Sequence, residues 1–270
     1  MTGVVTRARL DAELVRRGLA RSRQQAAELI AEGRVAVHGV PAGKPATVVD
    51  RDTPVTVRTA GREWASRGAH KLLGALDAFA DLAVDGRRCL DAGASTGGFT
   101  VVLLDRGAAE VVAVDVGYGQ LVWRLRTDPR VRVHDRTNVR HLGPDDLGGP
   151  VDLTVADLSF ISLRTVLPAL VACTAPGGEL LPMVKPQFEV GRERLGAGGV
   201  VRDPAVRRAA LGEVAAAARQ LGLALRGAVA SPLPGPSGNV EYFLRLSRDG
   251  AEPGDVGDEA LDGAVAEGPR

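Results

Sequence analysis

A chain of 270 residues with 45% apolar and 25% charged residues can bury a substantial core, which excludes fibrous and disordered classes. No apolar run approaches the roughly 20 residues that span a bilayer, and the opening MTGVVTRARL lacks the apolar stretch of a secretory signal, so a cytoplasmic protein is expected. The net charge of +1 hides an asymmetry: residues 1–71 carry thirteen basic against seven acidic side chains, and residues 248–270 carry two against seven. A basic unit on an otherwise balanced chain points to a polyanionic partner, because Lys and Arg displace counterions from phosphates. The two cysteines, Cys89 and Cys173, lie in apolar runs and supply neither a disulfide framework nor a metal quartet, so no metal is expected.

In chain order, apolar spacing predicts two short helices, Arg7 to Arg17 and Arg23 to Glu32, with Gly18 and Gly33 at their C-terminal ends. Short β-like pieces follow, RVAVHG, ATVV and TPVTV. Through the run RLDAELVRRGLARSRQQAAELIAEGRVAVHGV, residues 1–60 resemble the S4 RNA-binding domain, a small α+β fold. The resemblance implies a basic face of Arg7, Arg9, Arg16, Arg17, Arg21 and Arg23, with Lys44 at its margin. Pairing of these arginines with Glu13, Glu28 and Glu32 is expected for a minority. Residues 61–67, GREWASR, read as a linker in which Trp64 is a buried anchor.

From residue 68 helix-like and strand-like segments alternate, which predicts an α/β sheet with helices on both faces. Strands are expected near 87–92, 110–116, 131–135, 151–157, 178–185, 224–231 and 241–247. The connection PLPGPSGNV is too short for a crossover helix, so the last two strands should pair antiparallel, giving the Rossmann-like seven-strand sheet of methyltransferases across 68–247. The acid- and glycine-rich residues 248–270 show no periodicity and are expected to be disordered.

The run CLDAGASTGGFT ends a strand and opens a helix, with glycines where a backbone must approach a ligand. Its spacing is not that of dinucleotide enzymes and suits S-adenosylmethionine, which has no pyrophosphate to cradle. Asp91, Gly93, Ala94, Ser95, Thr96, Gly97, Gly98 and Phe99 form the expected cofactor loop, with Asp91 toward the methionine ammonium. Asp115, ending the next strand, is placed for the ribose hydroxyls, and Asp135 either meets the adenine amino group or caps a turn with Asn138. Asp157, beside the same pocket, joins both the cofactor site and the catalytic set.

Lys71, Asp157, Lys185 and Glu241 fall at element ends that should face that pocket. A ribose hydroxyl is a very weak acid, so methylating it calls for cations or a base at the oxygen and carboxylates to orient them. Lys185 can be a base only if its pKa falls far below about 10.4; otherwise both lysines orient the hydroxyl and stabilise developing charge. The set resembles the Lys-Asp-Lys-Glu tetrad of FtsJ-like ribose 2′-O-methyltransferases.

With SRGAHKL, LDAGASTGGFT, VDVGYGQL, ADLSFISL, MVKPQFEVGRE and GPSGNVEY, residues 4–247 resemble the TlyA family, whose members also carry the name haemolysin. The family implies S-adenosylmethionine-dependent methylation of cytidine 2′-oxygens in ribosomal RNA, 16S, 23S or both, with rRNA or ribosomal subunits as partners. The linker departs from the family pattern, reading REWAS where relatives often have RAWVS or RAWVP. The long segment 186–204 is expected to be a mobile cover that orders on RNA, and Phe188 either stacks on a flipped base or packs inward. Two other readings compete: an RNA-binding protein with a non-catalytic Rossmann domain, and a membrane-active haemolysin, for which no amphipathic or spanning segment is evident. Oligomeric state is left open, a monomer being the simplest expectation.

Overall fold

The computed structural model describes residues 7–57, 64–248 and 255–268. The chain divides into two compact units at the 63/64 boundary. Residues 61–63 of the expected linker lie outside the described residues, and Trp64 packs against the core of the second unit.

The first unit runs β1 (Arg7–Arg9), α1 (Leu10–Arg16), α2 (Arg23–Ala31), β2 (Val35–Val37), β3 (Val40–Pro41), β4 (Val48–Asp50) and β5 (Val55–Val57). Leu10, Leu14, Leu29, Ile30, Val35 and Val49 close its core. Ser22 caps α2 by accepting from the Gln25 amide at 3.1 Å. Gly18 and Gly33 take positive φ, 72° and 67°, and end the helices as expected. The expected helix from Arg7 is corrected. Arg7, Ala8 and Arg9 form a strand opposite Asp50, Val49 and Val48, because main-chain pairing with β4 outweighs one more helical turn of marginal propensity.

The second unit begins with α3 (Gly68–Ala78), β6 (Arg88–Ala92), α4 (Gly98–Asp105), β7 (Glu110–Val114), α5 (Trp123–Arg126), β8 (Val131–His134), β9 (Val151–Ala156) and α6 (Leu163–Cys173). It continues through β10 (Thr174–Val184), α7 (Pro186–Glu189), α8 (Pro204–Gln220), β11 (Ala224–Ala230), β12 (Tyr242–Ser247) and α9 (Glu259–Glu267). Seven strands form one sheet in the order β11-β12-β10-β9-β6-β7-β8. β12 runs antiparallel to both neighbours, and the β10-β9-β6-β7-β8 pairs are parallel. Neighbouring residues serve opposite faces. Leu90, Val112 and Tyr242 enter one core, and Cys89, Val111 and Phe243 enter the other. The order reverses between β6 and β9, which opens a crevice at the strands' carboxyl ends.

The disordered-tail expectation is corrected over 255–268. Leu261 and Ala264 of α9 are buried in the sheet core, and Asp255, Asp258 and Asp262 pair with Arg208 and Arg219 of α8. Acidity without long periodicity concealed a nine-residue helix anchored by ion pairs of Asp262 and of Asp255 and Asp258 just before it. Segment 186–204, expected to be a mobile cover, contains short helical elements. It forms α7 and two short 3-10 turns, and Val190 and Val201 pack on Ala210. Among the described residues no helix is long and apolar enough to cross a membrane.

Candidate active site

Strand geometry builds the site. β12 pairs with β10 so that Val184 faces Tyr242, which places Lys185 and Glu241 one step beyond the register at the same sheet edge. β9 pairs with β6 through Ala92 opposite Ala156, and the Asp157 amide donates to the Ala92 carbonyl at 3.0 Å, so Asp157 emerges beside the glycine loop. Lys71 comes from the first turn of α3.

The four residues form two ion pairs. Lys71 Nζ donates to Glu241 Oε2 at 2.5 Å, with both residues buried. Lys185 Nζ lies 2.6 Å from Asp157 Oδ1, a charge contact rather than an aligned hydrogen bond, and donates to Ser159 Oγ at 3.0 Å. Lys71 and Asp157 share the wall of a cavity of about 270 Å³. The lining also includes Ser66, Arg67, the loop residues Gly93, Ala94, Ser95, Thr96, Gly98 and Phe99, and Leu233, Pro234 and Pro236. Gly235 must lack a side chain here, because a Cβ would stand 2.5 Å from Glu241 Oε1.

A second cavity of about 440 Å³ shares Gly93, Ser95 and Asp157 with the first. It is lined by Asp115, Gln120 and Asn138 and by apolar Val139, Leu158, Ile161 and Val166. Asp115 accepts from the Ser95 amide at 2.8 Å and the Gly117 amide at 2.7 Å, which fixes the carboxylate while leaving lone pairs for a ligand. Gly93 and Gly97 adopt φ of 89° and 97°, and a Cβ on either would collide with the Asp157 carbonyl or with Leu125.

The remaining expected residues divide. Asp91 is wholly buried and lines neither cavity, so a direct grip on a ligand ammonium is not what the geometry provides. Its Oδ2 accepts from Thr100 Oγ1 at 2.6 Å, and its Oδ1 has no partner. Burial, reinforced by Asp157 and Asp115, pushes this carboxyl up to about 7. Gly97 lines neither cavity and serves packing on Leu121 and Leu125. Asp135 is held by Arg126 at 2.9 Å and the Gly119 amide at 3.2 Å, away from both cavities, whereas Asn138 lines the second. Phe188 is half-buried, with its ring centroid 5.3 Å from that of Phe160. Sequence reasoning missed Ser159, the proline wall at 233–236 and Phe160, which is 92% exposed at a φ of 64°. Only Ser159 had a signal, its place two residues after a strand-ending acid.

In the first unit Arg16 and Arg17 pair with Glu13, in line with the expected minority, and further pairs form with aspartates that the sequence reading did not name. Arg9 and Arg23 both bind Asp11, Arg16 and Arg17 both bind Glu13, and Arg7 lies 3.4 Å from Asp50. Arg17 also donates to the carbonyls of Asp50, Arg51 and Thr53, which makes it a brace between α1 and the β4–β5 turn rather than a surface contact. Arg9, Arg16 and Arg23 remain about half exposed despite their partners, and Lys44 is exposed.

Residues 64–248 match the model of the FtsJ-like methyltransferases, and residues 8–55 match the S4 domain. The chain belongs to the FtsJ-like methyltransferase family. Its methyltransferase unit is the seven-strand one, and its S4 domain lies in the N-terminal unit. The chain is 64% identical over 266 residues to the 16S/23S rRNA (cytidine-2'-O)-methyltransferase TlyA of Mycobacterium tuberculosis, covering 97% of this chain and 99% of that one. Hemolysin A of Brachyspira hyodysenteriae is 34% identical, covering 88% of this chain and 99% of that one. A solved Streptococcus thermophilus structure whose description carries the word hemolysin superposes with a TM-score of 0.74 at 37% identity, covering 97% of this chain and 96% of that one.

Proposed function

We propose that this methyltransferase moves the methyl group of S-adenosylmethionine to the 2′-oxygen of cytidine in ribosomal RNA, 16S, 23S or both. The observation that carries the reading is the pairing of Lys71 with Glu241 and Lys185 with Asp157, with one member of each pair, Lys71 and Asp157, on the wall of a cavity that includes the glycine loop. The residues fit the cofactor. The second cavity offers the Asp115 carboxylate for ribose hydroxyls and an apolar slot for a base, and the buried Asp91 carboxyl, whose Oδ1 has no partner, would feel a positively charged ligand through space rather than by contact. When bound, S-adenosylmethionine supplies an electrophilic methyl group on a cationic sulfur.

The chain's own residues position the acceptor. Lysine has three N–H donors; Lys185 directs its ammonium at Asp157 and Ser159 and retains donor capacity for a ribose oxygen. Lys71, fixed by Glu241, adds a second cation at the cavity wall. Two preorganised cations stabilise the charge that develops on the 2′-oxygen during attack, so we assign Lys185 and Lys71 orienting and electrostatic roles. Asp157 and Glu241 hold them in place. Arg7, Arg9, Arg16, Arg21, Arg23 and Lys44 supply the S4 face for RNA phosphates, without Arg17. An rRNA acceptor places this work in the cytoplasm.

The test is transfer of labelled methyl from S-adenosylmethionine to purified small and large ribosomal subunits and to tRNA. Label in rRNA that resists alkaline release as ordinary mononucleotides, and that Asp157→Ala and Lys185→Ala abolish, is the expected result. No label in any subunit despite cofactor binding would overturn the acceptor assignment.

A further inference from the structure

The loop after β7 and the first residue of α5 hold large apolar side chains out in solvent beside the cofactor loop. Val116 and Tyr118 are each 68% exposed and Trp123 is 78% exposed. These side chains are not on a slack segment. The Gly117 amide donates to Asp115 at 2.7 Å, the Gly119 amide to Asp135 at 3.2 Å and the Val122 amide to the Thr96 carbonyl at 3.3 Å. Leu121 and Leu125 are buried beneath it. The aromatics are therefore fixed in place while unburied, and burial of the neighbouring leucines shows that the fold had apolar space to offer.

A cation accompanies them. The Arg136 guanidinium lies 4.3 Å above the Tyr118 ring, and no carboxylate among the described residues forms an ion pair with it. Arg136 holds a φ of 55°, a conformation that costs a non-glycine residue free energy, and its amide donates to the Gly117 carbonyl. The ridge also borders both cavities: Val116 and Gln120 line the larger one, and Thr96 lines the smaller.

We propose that Tyr118 and Trp123 form a stacking ridge for single-stranded RNA next to the acceptor nucleotide, with Arg136 meeting its phosphates. The proposal rests on the methyltransferase reading above and adds a second RNA contact, located on the methyltransferase unit itself. Exposed rings beside a guanidinium that stacks on one of them suit unstacked bases on a polyanion. A protein partner would call for a broader apolar area than three side chains, and paired bases in a duplex have no free faces to offer.

The experiment uses the full chain in a Trp64→Phe background, so that Trp123 is the sole indole. Single-stranded oligoribonucleotides should quench its emission, and the duplex of the same sequence should not. Trp123→Ala and Tyr118→Ala should each weaken oligonucleotide binding about 5- to 100-fold while S-adenosylmethionine affinity is retained. If rRNA is methylated but Trp123 is neither quenched nor needed for RNA affinity, the ridge proposal falls and the activity stands. If the wild-type chain neither binds RNA nor transfers label, both fall. Quenching that depends on protein concentration alone, with a dimer in sedimentation, would make the ridge a self-association surface and overturn the proposal.

Discussion

Replacing Asp91 with Asn separates the electrostatics of the glycine loop from its geometry. Asn retains an oxygen for Thr100 Oγ1, now 2.6 Å from Asp91 Oδ2, but cannot ionise. In the folded chain burial raises this carboxyl from 3.8 to about 7. Between those values the folded state binds a proton that the unfolded chain has already released, so stability falls as pH rises across the window and levels off above about 7. At about 1.36 kcal/mol per unit, a shift of roughly three units amounts to a loss on the order of 4 kcal/mol. Thermal unfolding of the ligand-free protein from pH 4 to 8 should show that decline in the wild type and a flatter profile in Asp91→Asn, with the variant's Tm higher by several degrees at pH 8. S-adenosylmethionine brings positive charge toward the ionised carboxylate, so wild-type affinity should rise between pH 5.5 and 7 and the variant's should not. Parallel wild-type and variant profiles in both measurements would refute the electrostatic account of Asp91.

Lys185→Ala should lower kcat by about 10²- to 10⁴-fold with little change in cofactor affinity, measured by single-turnover label transfer, whereas Asp157→Ala should lower kcat comparably and also weaken cofactor binding, because Asp157 lines the cofactor cavity. Ser159→Ala removes one of the contacts of Lys185, so a smaller loss in kcat with rRNA affinity unchanged is expected from the same assay. In the first unit Arg16 and Arg17 hold Glu13 down to about 2, and Arg9 with Arg23 holds Asp11 well below the usual carboxylate range. Depressed folded values mean stabilisation that is present above the ordinary carboxylate pKa and lost as pH falls toward the folded ones, so acid unfolding of the S4 unit should begin below about pH 4. Asp11→Asn should shift that transition and reduce the slope. Leu261→Ala should destabilise the methyltransferase unit by about 2–5 kcal/mol in denaturant unfolding, since Leu261 is wholly buried; a value near zero would mean that α9 does not pack on α8 and β11 in solution.

Period and punctuation in the sequence determined the larger plan. The alternation of apolar strands and helices, with a short Pro- and Gly-rich final connection, already implied seven strands and an antiparallel last pair, because a crossover cannot be made in nine residues. The glycine loop and the polar residues at strand ends were legible for the same reason: parallel strands deliver their carboxyl ends to one edge. Tertiary structure decided what local pattern cannot encode. The partners of Lys71 and Lys185 depend on strand register across 170 and 28 residues. Asp91 looked like a ligand contact from its place in the motif, but depth below the loop is set by packing of α4 against β6 and β7. Arg7 to Arg9 carried a helical pattern and became a strand once β4 offered main-chain partners. The acidic tail read as disordered because its compensating cations, Arg208 and Arg219, are about 36 to 54 residues away in sequence and adjacent only after folding. Periodicity reports on one face of one element, and every error here arose where a second element supplied the energy.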